Sequence, residues 1–301
     1  MLRMEKNIFI IFAMLFAFFG ISVFFFMVFY FFPSSSVHVL FTEGAPVTDE
    51  VLNFIRSSRQ YLYISALDVS HPKVISELVN LQNKGIDIRI ISEKPALGLP
   101  SKVDYSKGLH HAKFMVNENG VVFGSANFTE SGLESGLNDV LFFPNSYSDD
   151  FRQFFLNMWD NSLVTKLDGF LVSPIDKVEE SVVKLLENAR KRIWVCVYAF
   201  SDVNILAVLK YKASKGVDVR IITDKWFYTG PLNKIPLENS KIVSERMLHH
   251  KFIILDNKLI TGSTNYTESG FHRNVELIWI TSNKRILKQY ERIFLLLYSY
   301  R

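Results

Sequence analysis

The chain starts with a long apolar segment and continues as alternating strand-like and helix-like patterns. Residues 8–32 contain no charged side chain. Beyond Pro33, short β-branched runs that favour strands alternate with stretches whose apolar residues recur at helical spacing. The predicted elements are strands at 37–41, 61–67, 86–91, 170–172, 193–199 and 217–222, and helices at 49–58, 73–84, 149–159, 179–190, 205–214 and 285–298.

This alternation predicts an α/β fold. A helix between two strands usually makes a crossover connection, so we expect helices on the faces of mixed, largely parallel sheets. The helix at 149–159 carries Phe151, Phe154, Phe155 and Met158 at helical spacing, and these side chains are predicted to face the core.

An internal repeat organises the sequence after Pro33. LQNKGIDIRIIS at 81–92 returns as KASKGVDVRIIT at 212–223, and GSANFTESG at 124–132 returns as GSTNYTESG at 262–270. LHHAKF at 109–114 is likewise echoed by LHHKF at 248–252. We therefore predict two tandem homologous halves, 37–165 and 166–301, packed about a pseudo-twofold axis.

The N-terminal pattern predicts a membrane anchor. A helix rises about 1.5 Å per residue, so the 25 residues from Ile8 to Phe32 are long enough to cross the bilayer. Residues 1–7 would form a short cytoplasmic end and 33–36 a linker. Arg3 and Lys6 precede the segment, which by the positive-inside rule predicts a single-pass cell-membrane protein with the bulk of the chain outside the cytoplasm. The alternatives are a cleaved signal peptide, although 25 residues exceed a usual signal-peptide core, and a buried core helix.

Composition narrows the class of protein further. The formal net charge of +4 permits an anionic substrate without indicating a nucleic-acid-binding tail. The single cysteine, Cys196, excludes an intrachain disulfide framework and lies in an apolar run, so a buried thiol is predicted.

The candidate chemistry lies in the repeated His-x-Lys and Gly-Ser-x-Asn segments. His111, Lys113, Ser125 and Asn127 of the first copy have counterparts at identical offsets; these are His249, Lys251, Ser263 and Asn265. Each His-x-Lys is followed after four residues by an acid, Glu118 or Asp256. A duplicated scaffold would explain the repetition, but a scaffold rarely needs this set of polar side chains.

This pattern resembles the motif of the phospholipase D superfamily, in its compact, nuclease-like branch. The likeness extends from about Val37 to the C-terminus, although Glu118 stands where the family usually has aspartate. The resemblance implies a phosphodiesterase in which two motifs form one site. It also favours His111 as the nucleophile and His249 as the acid, although the spacing alone does not distinguish them.

Physical chemistry supports the same reading. A neutral imidazole can attack phosphorus, and a protonated one can donate to the leaving oxygen. Lys113 and Lys251 would neutralise the nonbridging oxygens, and Asn127 and Asn265 would donate hydrogen bonds to them. Because the lysines supply positive charge, no metal or other cofactor is expected. The reaction would pass through a phosphohistidine, and no oligomer is required to complete the site.

Two further acids are candidate partners of the histidines. Glu276 lies 27 residues after His249, and Asp139 lies 28 after His111. We predict that these two carboxylates orient the histidines, in preference to Glu118 and Asp256, with a plain surface role as the alternative. Asp256 lies in a predicted hairpin turn, where a structural role is expected.

The substrate is less well defined by the sequence. Ser125 and Ser263 are predicted to contact it, as are Lys225 and Trp226, which lie in a loop rich in aromatic residues. Such a loop can stack the bases of single-stranded nucleic acid or insert beside phospholipid headgroups, or it can simply pack on the core. A nuclease is favoured, and a phospholipase D or phosphatidyltransferase is the alternative. A tethered binding module and a metalloprotein built on the paired histidines and Asp256 are weaker alternatives.

Overall fold

The computed structural model describes residues 36–96, 98–104, 108–226 and 239–299. Residues 37–301 form one compact unit. The predicted membrane segment, 8–32, lies outside the described residues. Within the ranges that are described, no helix combines the length and apolar character needed to cross a membrane.

The two halves have the same order of strands and long helices, and a short π-helix at Ser131–Ser135 of the first half stands where the second half has a short α-helix. The first contains β1 His38–Phe41, α1 Thr48–Ser57, β2 Tyr61–Ser65, α2 Pro72–Asn83, β3 Asp87–Ser92, β4 Ser101–Val103, β5 Phe114–Asn117, β6 Gly120–Gly124, β7 Asp139–Pro144 and α3 Ser148–Asn161. The second contains β8 Phe170–Ser173, α4 Val178–Asn188, β9 Arg192–Val197, α5 Val203–Ser214, β10 Asp218–Asp224, β11 Ser240–Val243, β12 Lys251–Leu255, β13 Lys258–Gly262, α6 Glu268–His272, β14 Glu276–Thr281 and α7 Lys284–Ser299. Every predicted element is present, with its ends shifted by at most two residues.

Each half forms a seven-stranded sheet, and the two sheets have the same strand order. The first runs β1-β7-β6-β5-β2-β3-β4, and the second runs β8-β14-β13-β12-β9-β10-β11. The prediction of largely parallel sheets was wrong. Only β2-β3-β4 and β9-β10-β11 pair in parallel, while the remaining neighbours are antiparallel. The reason is that only five-residue helices, α6 and the π-helix at Ser131–Ser135, interrupt β12–β14 and β5–β7, and without a long crossover helix these strands pair antiparallel.

The largest hydrophobic cluster is shared by the halves. It contains buried residues of both sheets together with one face of α3 and one face of α7. Phe151, Phe154, Phe155 and Met158 all belong to it, which confirms their predicted core position. Separate clusters lie between the first sheet and α1–α2, and between the second sheet and α4–α5. Cys196 is a buried free thiol, as predicted.

Reciprocal backbone contacts join the halves beside the motifs. The backbone N–H of His111 donates to the carbonyl of Val275 (3.0 Å), and that of His249 donates to the carbonyl of Leu137 (2.9 Å). In turn Val275 donates to Leu109 (2.9 Å) and Leu137 donates to Met247 (2.8 Å). Such a pattern, in which equivalent residues exchange equivalent bonds, is typical of twofold packing.

Candidate active site

Each Gly-Ser-x-Asn segment begins at a glycine that the packing requires. Gly124 ends β6 and Gly262 ends β13. A Cβ atom at Gly124 would lie 2.3 Å from the carbonyl oxygen of Asp139, and one at Gly262 would lie 2.1 Å from that of Leu277. The glycines therefore let β6 and β13 approach β7 and β14 closely enough to bring the following serines beneath the histidines.

The two His-x-Lys pairs converge on one buried region. His111 and His249 are 5% and 8% exposed, and Lys113 and Lys251 are 0% and 1% exposed. Each ammonium donates to the carbonyl oxygen of its own motif histidine, with Nζ–O distances of 2.6 Å for Lys113 and 2.7 Å for Lys251. The four groups also interact electrostatically across the halves. A buried cluster that carries positive charge and is contributed by both halves is suited to binding an anion.

Burial and this shared charge shift the pKa values of the four groups downward. The pKa of His111 falls to about 4 because of burial, with Lys113 and Lys251 contributing and Glu276 opposing. Burial also lowers the pKa of Lys113 to about 7. The pKa values of His249 and Lys251 fall well below their usual ranges, through burial and the neighbouring cations. Both histidines are therefore neutral near pH 7 before an anion binds.

His111 takes its partner from the other half. Its Nδ1 lies 2.8 Å from the carboxylate of Glu276, which is fully buried. The hydroxyl of Ser263 donates to the same carboxylate (2.5 Å) and accepts from the backbone N–H of Leu277 (3.0 Å). Because an ionised carboxylate only accepts hydrogen bonds, it holds the proton on Nδ1 and leaves the Nε2 lone pair of His111 free.

His249 also takes its partner from the other half, but this partner is an amide. Its Nδ1 lies 2.9 Å from Oδ1 of Asn138. The hydroxyl of Ser125 lies 3.2 Å from the same oxygen and accepts from the backbone N–H of Asp139 (3.0 Å). Asn138 follows His111 by the same 27 residues that separate Glu276 from His249. The two positions are thus equivalent, and only one of them carries a charge.

The prediction that Asp139 orients a motif histidine was wrong. Its carboxylate contacts Nδ1 of His250 (2.8 Å), the residue between the motif histidine and lysine. Nε2 of His250 lies 2.5 Å from Glu43, and the hydroxyl of Tyr290 donates to Asp139 (3.0 Å). Burial opposes protonation of His250, but Glu43 and Asp139 raise its pKa to about 9. The prediction missed by one residue, because Asn138 rather than Asp139 is the partner of His249. Neighbouring residues at the start of a strand point to opposite faces, so Asp139 contacts His250 instead.

The predicted turn and substrate residues occupy different surroundings. Asp256 accepts hydrogen bonds from the backbone N–H groups of residues 190–192, which confirms its expected structural role. Glu118 accepts a hydrogen bond from the backbone N–H of Arg59 (2.5 Å). Ser125 and Ser263 contact the histidine partners, so a direct contact with substrate stays a prediction for them. Oδ1 of Asn127 and of Asn265 is buried and has no hydrogen-bond partner.

An aromatic pair lies next to His249. The Tyr198 ring is 5.3 Å from the His249 ring and 6.5 Å from the Trp226 ring, measured between centroids. Nζ of Lys251 lies 5.4 Å from the centre of Tyr198. Trp226 therefore lies near Tyr198 and His249, with Lys225 exposed beside it, and a contact of either residue with substrate stays a prediction. Tyr198 was missed because nothing in its own strand marks it as polar or unusual.

A metal centre finds no support in the described part of the chain. No group of three or more His, Cys, Asp or Glu side chains there is arranged to hold a metal ion. Asp256, the proposed third ligand, is held by the backbone at a turn, away from the paired histidines.

Comparison with known proteins identifies the family. A family model described as "Cardiolipin synthase, PLD-like domain" matches residues 51–159 and 182–297, which is most of the chain. The chain belongs to this phospholipase D-like family. Both matched segments contain one His-x-Lys motif, so the predicted duplication and the predicted family are confirmed.

Individual relatives extend this likeness. A mitochondrial cardiolipin hydrolase of Xenopus laevis is 33% identical over 120 residues, covering 38% of this chain and 57% of that protein. A phospholipase D of Rickettsia prowazekii is 31% identical over 116 residues, covering 36% of this chain and 57% of the relative. This chain thus spans somewhat more than half the length of these relatives.

Solved structures match over a longer stretch. A phosphatidylserine synthase of Haemophilus influenzae superposes with a TM-score of 0.63 at 12% identity, covering 85% of this chain and 84% of that one. A polyphosphate kinase of Porphyromonas gingivalis gives a TM-score of 0.69 at 14% identity, covering 87% of this chain and 50% of the other. At such low identity the superpositions support the phospholipase D-like fold alone.

Proposed function

We propose that this phospholipase D-like protein is a metal-independent phosphodiesterase that works through a phosphohistidine. The observation that carries the proposal is the convergence of His111, Lys113, His249 and Lys251 in one buried cluster. Two cations there can hold the nonbridging oxygens of a phosphodiester, and two imidazoles can act on either side of phosphorus.

The first step forms a bond between Nε2 of His111 and phosphorus. As that bond forms, the bond from phosphorus to the leaving oxygen breaks, and His249 gives its proton to that oxygen. The substrate contributes to this protonation state, because a bound phosphate anion offsets the lysine charges that lower the pKa of His249. Lys113, Lys251, Asn127 and Asn265 would stabilise the charge on the nonbridging oxygens.

The second step releases the product. His249, now neutral, takes a proton from water as the water oxygen attacks phosphorus. The phosphorus–nitrogen bond breaks, and the electron pair returns to Nε2 of His111. The products are an alcohol and a phosphomonoester. An alcohol in place of water would instead give transfer.

The assignment of roles rests on the unequal partners. A phosphorylated imidazole is cationic, and Glu276 lies 2.8 Å from Nδ1 of His111, where its charge stabilises that cation. Asn138 offers His249 no such charge. His111 is therefore the proposed nucleophile, and His249 is the proposed acid and base.

Single-stranded nucleic acid is the proposed substrate. Trp226 and Tyr198 present aromatic rings beside the site, and Lys225 presents a cation. Aromatic rings with nearby cations bind single strands without demanding a particular sequence. Phospholipid is the second candidate, because relatives of similar sequence are a cardiolipin hydrolase and a phospholipase D.

Membrane attachment belongs to the same proposal. The apolar residues 8–32 would anchor the protein in the cell membrane, and Arg3 and Lys6 would keep its N-terminus in the cytoplasm. Protease added to intact cells should then digest the region after Pro33. Protection until the membrane is opened would reverse the orientation.

The proposed activity is tested by offering the purified protein bis(p-nitrophenyl) phosphate, single-stranded DNA, RNA and phospholipid vesicles in parallel assays with and without EDTA. We expect cleavage of the diester and of the single strands, and nearly unchanged rates with the chelator. Loss of activity that zinc or magnesium restores would contradict the metal-independent mechanism. Cleavage of vesicle lipid alone would make phospholipid the substrate.

A further inference from the structure

The site has two flanks, one formed by the residues beside His111 and the other by the residues beside His249. These flanks differ more than the motifs do. Alignment of the parallel strands β2–β3 and β9–β10 makes Tyr198 equivalent to Leu67, and Trp226 equivalent to Pro95. At these two positions the flank beside His249 therefore carries aromatic rings, whereas the flank beside His111 carries a leucine and a proline. A duplication that keeps its motifs but changes these positions has made the two sides of the phosphate site unlike.

A buried carboxylate links Trp226 to the second His-x-Lys motif. The side chain of Asp224, 3% exposed, accepts from the backbone N–H of Trp226 (3.0 Å) and from that of Leu248 (3.0 Å). Leu248 directly precedes His249. One carboxylate thus fixes both Trp226 and the segment that leads into His249, so the indole stands at a set position relative to the reacting phosphorus.

Charge differs between the flanks as well. Lys94, the equivalent of Lys225, forms an ion pair with Asp68 at 2.6 Å. The position of Asp68 is taken by Ala199 in the second half, so that ion pair has no counterpart there. Lys225 is exposed beside Trp226 and keeps its charge available for an anion.

We propose that Tyr198, Trp226 and Lys225 form a subsite for the leaving nucleotide, an inference that rests on the proposed function. Because His249 protonates the leaving oxygen, the group attached to that oxygen must lie on the His249 flank. There its base stacks on the aromatic pair, and the next phosphate of the strand meets Lys225. A cationic headgroup such as choline also suits aromatic rings, but Lys225 would repel it.

The subsite is tested with the dinucleotide TpT and two analogues, each lacking one thymine base. The cleavage products identify which nucleoside leaves, because the unsubstituted protein releases that nucleoside as thymidine and releases the retained one as its 3′- or 5′-monophosphate. Stacking of a base on aromatic side chains corresponds to roughly 5–150-fold in affinity. In the unsubstituted protein we expect removal of the leaving-side base to lower kcat/KM by about that factor.

The matched variants are Tyr198→Leu, which reproduces the first half, and Tyr198→Phe, which keeps the ring. Tyr198→Leu should lose the discrimination against the abasic leaving side, whereas Tyr198→Phe should retain it. Leu67→Ala, on the opposite flank, should also retain it. A merely structural role for Tyr198 predicts equal losses with all three substrates, and that result would overturn the proposal.

Lys225 has its own test and its own control. A phosphate added to the far end of the leaving nucleoside should raise kcat/KM in the unsubstituted protein and in Lys94→Gln, but not in Lys225→Gln. Equal behaviour of the two variants would remove Lys225 from the subsite.

Failure of this inference and failure of the proposed function give different results. If no adduct forms with bis(p-nitrophenyl) phosphate, the phosphohistidine mechanism is wrong. If that adduct forms but the variants do not change base discrimination, only the subsite is wrong. Turnover of vesicle lipid without turnover of any dinucleotide, or an adduct on His249, would also overturn the subsite.

Discussion

The first and second halves have the same seven-stranded sheet, yet they provide unequal surroundings for the same two motifs. Glu276 of the second half gives His111 a carboxylate, whereas Asn138 of the first half gives His249 an amide. The residue between histidine and lysine is Ala112 in one motif and His250 in the other. A symmetric fold has thus been differentiated at a few positions.

This difference teaches how a twofold scaffold can perform an asymmetric reaction. Attack and protonation need different imidazoles, one with a free lone pair and one that carries a proton when substrate is bound. A symmetric pair of partners would give both histidines the same pKa and the same tautomer. Replacing one carboxylate by an amide makes the two histidines unequal. The charge of Glu276 stabilises a cationic phosphorylated imidazole at His111, whereas His249 depends on the bound phosphate anion to hold its proton.

The largest expected effect comes from removing the imidazoles themselves. His111→Ala should lower kcat on the order of 10⁴–10⁶-fold and abolish the covalent adduct, because the nucleophile is gone. His249→Ala should still form the adduct with bis(p-nitrophenyl) phosphate, since p-nitrophenolate leaves without protonation. The adduct should then accumulate on His111, because water attack lacks its base, and mass spectrometry would detect it.

The reverse outcome would exchange the roles of the two halves. An adduct on His249 in the His111→Ala protein, with none in the other variant, would make His249 the nucleophile. Absence of an adduct from both variants would favour direct attack by water.

Substitution of Glu276 and Asn138, the partners of the two histidines, tests whether these partners cause the division of roles between His111 and His249. Glu276→Gln should slow adduct formation by about 10²–10⁴-fold, because the amide carries no charge to stabilise the cationic imidazole and can present its NH2 group to Nδ1 in place of its oxygen. The isosteric Asn138→Asp should cost about tenfold or less, since His249 is not the attacking group. Single-turnover kinetics would measure both rates. If Asn138→Asp proved as harmful as Glu276→Gln, the unequal partners would not explain the division of labour.

The buried cluster of His250, Asp139 and Glu43 should govern stability. His250→Ala leaves two carboxylates without their cation, and loss of one member of a buried pair costs about 3–5 kcal/mol in the free energy of unfolding. Because folding raises the pKa of His250 to about 9, this contribution is complete below pH 6.5 and is lost as pH rises through about 9. Urea denaturation at several pH values would measure both effects.

His272 supplies the control for this prediction. It forms an ion pair with Glu179 at 2.7 Å, but its side chain is 51% exposed. Exposed pairs contribute little, so His272→Ala should lower the free energy of unfolding by about 1 kcal/mol or less. Equal costs for the two variants would show that the His250 cluster does not stabilise the fold.

The sequence predicted the fold and the motif residues because both leave strong local signals. The spacing of apolar residues and the capping residues define the alternating strands and helices. The duplication draws attention to His111, Lys113, His249 and Lys251, because the same motif occurs in both halves. The antiparallel strands β5–β7 were not resolved as such, since a short apolar run alone does not reveal its pairing direction.

The partners of the histidines were harder to predict, because they act across the halves. Glu276 serves His111 rather than its own motif, and no spacing along the chain encodes that exchange. Asn138 was overlooked because a carboxylate, Asp139, stood next to it. Comparison of the offsets of 27 residues in both copies would have found it.

The smallest expected effect is a pH dependence of about tenfold per unit at the edges of the activity range. With bis(p-nitrophenyl) phosphate, whose leaving oxygen departs without a proton from His249, the proposed mechanism needs His111 neutral and Lys113 protonated. Their pKa values of about 4 and about 7 in the free protein predict that kcat/KM falls as pH drops through 4 and again as it rises through 7. Glu276 raises the pKa of His111, so Glu276→Gln should move the acid limb to lower pH.

Quenched assays with bis(p-nitrophenyl) phosphate would record the profile, and circular dichroism would verify that the fold persists at each pH. An acid limb unmoved by Glu276→Gln would mean that another group titrates there, and the carboxylate would then lose its claim to tune the attacking histidine.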